Sequence, residues 1–260
     1  MDIIQKKIVR SVFTVKEKIF VTPHYIRVIF DMSDEQLVLF SEVTIGRNNK
    51  IFIPPFGAGT VDFPDETGAS SSIRRTYTTR HIDFGKNEMW IDFVAHGDNG
   101  PASSWAQRAE AGHILGIAMK VSDKPLLPEA DSYLLIGDST AIPVISAMLE
   151  QLPEGVDVKA ILEVHGPEDE IGLSTRADLR VEWLHNPDPS RESELASFVS
   201  TRSLPQGKRF AYIAAEYDTA KALRQYFKEE QNWSATEFSA VSYWKRGEAE
   251  EESAATRREK

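Results

Sequence analysis

The chain has 260 residues, 41% of them hydrophobic and 27% charged, with a formal net charge of −10 and no cysteine. That composition supports two modest globular domains or one large one. It excludes disulfides, thiol nucleophiles, cysteine-ligated iron–sulfur clusters and zinc–thiolate sites, and its acidic balance argues against bulk binding of nucleic acid or anionic membrane. Any redox chemistry must therefore come from a bound organic cofactor or from outside the chain. No apolar run approaches a membrane span, and Met1-Asp2-Ile3-Ile4-Gln5-Lys6-Lys7 lacks the apolar core of a signal peptide. A cytoplasmic protein without stable membrane association is expected.

In chain order, residues 14–21 and 25–30 read as strands, with Ile26, Val28 and Phe30 alternating against Tyr25, Arg27 and Ile29. Thr22-Pro23-His24 is the turn between them. Lys50-Ile51-Phe52-Ile53 is a short strand stopped by Pro54-Pro55, and the Gly-, Pro- and Ser-rich residues 54–72 read as a loop. Arg74-Arg75-Thr76-Tyr77-Thr78-Thr79-Arg80 and Met89-Trp90-Ile91-Asp92-Phe93-Val94 follow as strands. Several short strands separated by turn signals predict an antiparallel barrel or sandwich.

The arginine–tyrosine strand is dense in ligand-binding chemistry. Guanidinium forks match phosphate oxygens bidentately, a tyrosine offers a flat face, and threonine hydroxyls can donate to a ring nitrogen or a phosphate. Alternation puts Arg75, Tyr77 and Thr79 on one side and Arg74, Thr76 and Thr78 on the other. A flavin nucleotide, part flat ring and part phosphate, would use all of these; a basic, β-prone surface strand is the plainer reading. Next comes His96-Gly97-Asp98-Asn99-Gly100-Pro101-Ala102-Ser103-Ser104-Trp105, a glycine-containing turn feeding a helix that runs to about residue 109. Such a helix start suits an anion, although a simple strand–turn–helix connection has the same letters.

From residue 128 the chain alternates strands and helices. Strands are expected at 133–137, 158–164, 181–184, 210–214 and 238–243, and helices over 142–149, 192–200 and 218–230. This order predicts a mainly parallel, doubly wound sheet. Gly137-Asp138-Ser139-Thr140-Ala141 ends the first of these strands and lacks the glycine spacing of a dinucleotide fingerprint. The six histidines show no metal-ligand spacing, and no metal site is expected.

Arg-x-Tyr-Thr-x-Arg followed by His-Gly-Asp-x-Gly-Pro-Ala-Ser-x-Trp resembles the siderophore-interacting protein family, the FAD-dependent ferric-siderophore reductases. Thr22-Pro23-His24 with Arg27-Val28, Leu134-Leu135-Ile136-Gly137-Asp138-Ser139-Thr140-Ala141-Ile142-Pro143 and Ser242-Tyr243-Trp244-Lys245-Arg246-Gly247 extend the resemblance over nearly the whole chain. It implies a ferredoxin-reductase-like fold: an FAD-binding barrel over 1–127, an α/β NAD(P)H-binding-like domain over 128–247, and a charged tail or helix over 248–260. It also implies flavin contacts from Arg75, Thr76, Tyr77 and Thr78, and from His96, Asp98, Gly100, Ala102 and Ser103. Trp105 is expected to pack into the core, and Trp244 to shield the flavin or cap the nicotinamide. Asp138, Ser139, Thr140 and Glu216 would face the electron donor. Lys50, Lys245 and Arg246, with Lys120 or Lys124, would attract an anionic ferric siderophore. One departure is the loss of the family's Gly-Pro-Arg-Gly-like turn, in whose place stands Gly116-Ile117-Ala118-Met119-Lys120-Val121-Ser122-Asp123-Lys124-Pro125.

The expected activity is FAD-dependent reduction of ferric siderophores in the cytosol by a monomer, with no catalytic side chain required at the iron. Fe(II) then leaves because hard oxygen donors hold it less well. The acidic loop His165-Gly166-Pro167-Glu168-Asp169-Glu170 favours NADH over NADPH, whose 2′-phosphate needs cations; the resemblance also admits a ferredoxin as donor. A general flavin or ferric-chelate reductase and a non-catalytic siderophore-binding, iron-delivery protein are the alternatives.

Overall fold

The computed structural model describes residues 8–65, 67–96, 100–188 and 190–248. Asp98 and most of the charged tail, from residue 249, lie outside them. The chain divides into two compact units between Leu126 and Leu127.

The first unit is a closed barrel of six strands: β1 (Ile8–Thr22), β2 (Tyr25–Asp31), β3 (Asn48–Ile53), β4 (Ile73–Asp83), β5 (Glu88–Val94) and β6 (Ile114–Lys120). Their order around the barrel is β1-β2-β5-β4-β3-β6, and every pairing is antiparallel. Closure gives every strand two neighbours, although β4 changes partner along its length: residues 73–78 pair with β3 and residues 79–83 with β5. The long strand β1 serves two neighbours: residues 8–14 pair with β6 and residues 14–22 with β2, with register shifts at Val15/Glu17 and Phe20/Thr22. Such bulges bend a strand and raise its twist, as closing a barrel demands. Alternation from β2, β3, β5 and β6 fills the interior with Ile26, Val28, Phe30, Ile51, Ile91, Phe93, Leu115 and Ile117, all fully buried.

Among the described residues, two helices belong to this unit. Helix α1 (Asp34–Leu39) follows Ser33, whose hydroxyl accepts from Gln36 N while Gln36 Oε1 accepts from Ser33 N. This reciprocal cap explains why so short a helix forms. Helix α2 (Pro101–Arg108) starts on Pro101 and packs Ala102, Ala106 and Trp105 onto the barrel core.

The second unit is a five-stranded parallel sheet in the order β11-β10-β7-β8-β9. Its strands are β7 (Ser132–Asp138), β8 (Asp157–Val164), β9 (Asp178–His185), β10 (Arg209–Glu216) and β11 (Phe238–Trp244), with helices α3 (Ile142–Gln151), α4 (Leu195–Ser200) and α5 (Tyr217–Gln225). Residues 132–137 of β7 are all buried, as expected of a central strand covered on both faces. The sheet therefore has the doubly wound, parallel character expected from the sequence.

Two helices differ from expectation. The helix expected over 192–200 begins only at Leu195, because Ser193 Oγ donates to Glu163 Oε2 and accepts from Leu195 N. The helix expected over 218–230 changes to a π turn at Tyr226–Glu230. There Tyr226 and Phe227 pack against each other, and Phe227 also against Trp233 and Phe238. Tertiary packing overrides the α-helical period in this last turn.

Phe93 is fully buried between Tyr77 and Trp105. Phe93→Ala is expected to cost about 3–5 kcal/mol, read as a lowered urea midpoint of the barrel unit. A loss below about 1 kcal/mol would remove the ring from the core described above.

Candidate functional site

In the first unit β4 runs beside β3, which in turn runs beside β6, and the register sorts their side chains between two faces. Thr76 lies opposite Lys50, which lies opposite Ala118. Lys50 Nζ donates to Thr76 Oγ1, and Lys120, two residues beyond Ala118, shares this face. Tyr77 lies opposite Asn49, and Asn49 opposite Met119, on the other face. Thr78 is 3% exposed. The Arg75 guanidinium donates to Arg74 O, and Arg75 remains half-buried. A register shift between Thr79 and His81 ends the regular stretch of β4, and bulges of this kind re-aim side chains beside sites.

Tyr77 is positioned from behind. Its ring centroid is 4.6 Å from that of Phe93, which lies 5.7 Å from that of Trp105 on α2. Trp105 in turn stacks on Phe30 at 6.3 Å. These contacts tie β4 to the helix that opens after His96. Gly100 is the N-cap of α2, so no side chain caps this helix. A Cβ on Gly100 would stand 2.4 Å from His96 Cε1, so the ring fits against the backbone only because residue 100 is glycine. His96 itself is exposed, and its backbone N donates to the buried Ser103 Oγ, which also accepts from Gln107 Nε2. Ser103 therefore shapes the turn. A guanidinium, a flat ring held on one side and a helix start without a side-chain cap are what the ring and diphosphate of a flavin nucleotide require.

Two residues here carried no sequence motif. Asn49 is 2% exposed; its Nδ2 donates to Thr79 Oγ1, and its Oδ1 is buried without a partner. Arg47 holds the segment leaving the barrel, donating through Nη2 to Lys124 O at 2.7 Å and Pro125 O at 2.9 Å. That clamp stands where the family's glycine turn is missing. It leaves Lys124 exposed, as is Lys120.

In the second unit Asp138, Thr140, Glu216 and Trp244 come together at the carboxyl edge of the sheet. Asp138 Oδ1 accepts from Thr140 N at 2.9 Å and Thr140 Oγ1 at 2.5 Å. Its Oδ2 accepts from Glu216 N and Trp244 Nε1, both at 2.9 Å. Glu216 caps α5, accepting from Asp218 N and Thr219 N, and also accepts from Arg246 N at 3.1 Å. Ser139 Oγ donates to Glu163 O. Burial pushes the Asp138 carboxyl above its ordinary value against these hydrogen bonds. Glu163, opposite Asp138 in register, is raised by burial and further by the Asp138 charge. Glu163 is a further residue the sequence motifs did not mark; its position at the end of the second strand of this sheet is the readable signal. Lys245 pairs with Glu248 and lies 5.3 Å from the Tyr217 ring centroid; the Glu248 contact holds its ammonium above the ordinary lysine value. Arg246 is half-buried.

Residues 14–120 match the family model described as siderophore-interacting FAD-binding domain, and residues 130–247 the one described as siderophore-interacting protein. The chain is 31% identical over 242 residues to the ferric vibriobactin reductase ViuB of Vibrio cholerae, covering 90% of this chain and 89% of that protein. Among solved structures, the siderophore-interacting protein SipS from Aeromonas hydrophila superposes with a TM-score of 0.82 at 29% identity, covering 96% of each chain. A siderophore utilization protein from T. fusca gives 0.81 at 27% identity, over 94% of this chain and 96% of that one. A ferredoxin NADP+ reductase from Neisseria gonorrhoeae shares the fold at 12% identity and a TM-score of 0.59, over 90% of this chain and 98% of that one. No helix among the described residues is long and apolar enough to cross a membrane.

The raised carboxyls at Asp138 and Glu163 make stability depend on pH. The folded chain binds more protons than the unfolded one in a window opening at the ordinary values of 3.8 and 4.5. Their contribution is present below that window and is lost as pH rises through the raised folded values. Thermal unfolding from about pH 4 upward should show a flatter profile for Asp138→Asn than for the natural chain. Parallel profiles would contradict the raised carboxyl.

Proposed function

Because the chain belongs to the siderophore-interacting protein family, we propose that it reduces ferric siderophores with electrons carried by bound FAD. The observation that carries this reading is the pairing of Arg75 and Tyr77 on β4 with the start of α2 at Gly100, joined through Phe93 and Trp105. When bound, FAD accepts electrons from a reduced donor and releases them singly to Fe(III). The chain's own residues hold and orient it. Tyr77 lies against the flavin ring and Thr78 beside it, while Arg75, with Thr76 on the same strand, takes phosphate. His96, Gly100, Ala102 and Ser103, around the start of α2, receive the diphosphate, whose charge the α2 dipole offsets; Asp98, outside the described residues, is assigned with them by resemblance.

The ferric ion is substrate and arrives inside its chelate, so no protein ligand to iron is required. One electron converts Fe(III) to Fe(II), which hard oxygen donors hold less tightly. An anionic chelate meets a protein of net charge −10, so local cations must offset the repulsion. Lys50 is half-buried against Thr76, with Lys120 on the same face; both serve this purpose. Lys124, exposed in the same unit, is a further candidate; in the second unit Lys245 and Arg246 are candidates by resemblance, and Glu248 offsets the charge of Lys245.

Between the pyridine nucleotides, NADH is favoured over NADPH. Glu168 and Glu170 are exposed in the loop after β8, and a 2′-phosphate would meet like charge there. A ferredoxin is the other class of donor.

Two measurements test the proposal. Tyr77→Ala and Arg75→Ala should each purify with less FAD per chain than the natural protein, read from the visible flavin band. Full FAD content in both would refute the assignment of β4. Lys50→Ala should raise KM severalfold for an anionic ferric chelate and leave KM for a neutral one unchanged. Equal effects on both chelates would dismiss charge steering.

A further inference from the structure

The order β11-β10-β7-β8-β9 places the sheet's switch point between β7 and β10. The chain builds outward from β7 through β8 to β9, then returns to β10 on the other side. A doubly wound sheet binds nucleotides in the crevice at such a point, with the diphosphate on the helix start after the first strand. Here that crevice holds side chains of the protein itself. Asp138, the last residue of β7, places Oδ1 on Thr140 N at 2.9 Å, at the start of the following helical turn. Its Oδ2 crosses to β10 and β11, accepting from Glu216 N and Trp244 Nε1. Glu216 Oε2 occupies the start of α5 in the same way. Asp138 and Glu216, the last residues of β7 and β10, and Glu163, the last but one of β8, thus stand at one edge of three adjacent strands.

The backbone is close-packed at the same turn. At Gly137 a Cβ would stand 2.4 Å from Ala141 Cβ and 2.8 Å from Ala214 O, so the chain is already closed around the turn. The first unit is a contrast: α2 begins at Gly100 with no side-chain cap.

We propose that Asp138 is a specificity-determining residue that closes the switch point of the second unit to the diphosphate of a dinucleotide. This rests on the reading that the chain takes electrons from an external donor. Pyridine nucleotides are then weak ligands of the second unit, with NADH the less disfavoured of the two. The chain draws its electrons most readily from a donor that carries no diphosphate to that turn.

The test is calorimetric titration of the FAD-loaded protein with ADP-ribose, which carries the diphosphate but no hydride, and with adenosine as the uncharged control. The natural protein should show no saturable ADP-ribose binding below about 1 mM. Asp138→Asn removes one negative charge and keeps an acceptor for Thr140 N; it should tighten ADP-ribose by about tenfold and leave adenosine unchanged. Asp138→Ser retains a good helix cap without the charge; it should behave alike and serves if the asparagine variant does not fold. Micromolar ADP-ribose binding by the natural protein overturns the inference. So does an unchanged ADP-ribose affinity in a folded variant, or an equal gain for adenosine. Failure of the functional reading would look different: a chain that retains no flavin, whatever its affinity for ADP-ribose.

Discussion

Phe93 is the fixed point of the first unit. It is fully buried, with Tyr77 on one side and Trp105 on another. Tyr77 comes from β4 and Trp105 from α2, so one ring sets the distance between a strand and a helix separated in sequence. A packed interior transmits position because side chains there interdigitate at crystal-like density. The flavin-binding reading needs a flat ring and a phosphate-binding turn at a fixed separation, and this aromatic chain supplies it without any polar group. Ser103, by contrast, is a polar group that shapes the turn after His96.

The second unit uses the opposite device. Its fixed point is a carboxylate, Asp138, whose two oxygens hold the ends of three strands and the start of a helix. Burying a carboxylate is costly unless its hydrogen-bonding capacity is filled, and here four donors fill it. Burial nonetheless pushes this carboxyl above its ordinary value. Such a group gives the edge of the sheet one arrangement. It also sets negative charge where dinucleotide-binding sheets keep a bare helix start.

What the sequence disclosed follows from how local each feature is. The Arg75–Tyr77 strand and the Gly100-Pro101 helix start are short and local, so both elements were legible. So was the alternation of strands and helices after residue 128, which dictates a parallel sheet. The helix α1 was legible in principle through Ser33 and Gln36, but six residues leave too short a period to read. The length of β1 was not, because its bulges answer to barrel closure rather than to its own residues. Least legible was the Asp138–Trp244 bond, which joins positions 106 residues apart. Asp138 reads as an ordinary helix cap until β10 and β11 are laid beside β7. Asn49 is similar: its burial follows from pairing with Tyr77 and Met119, and nothing in its own neighbourhood announces it.

The measurement that bears most directly on the account is a single-turnover experiment. The protein is purified with its bound flavin, reduced with one equivalent of dithionite per flavin under anaerobic conditions, and mixed with a ferric siderophore in the presence of an Fe(II)-trapping dye. The account predicts that the oxidised flavin band returns as trapped Fe(II) appears, with about two ferric ions consumed per flavin because each takes one electron. A reduced flavin that persists beside intact ferric siderophore would contradict it.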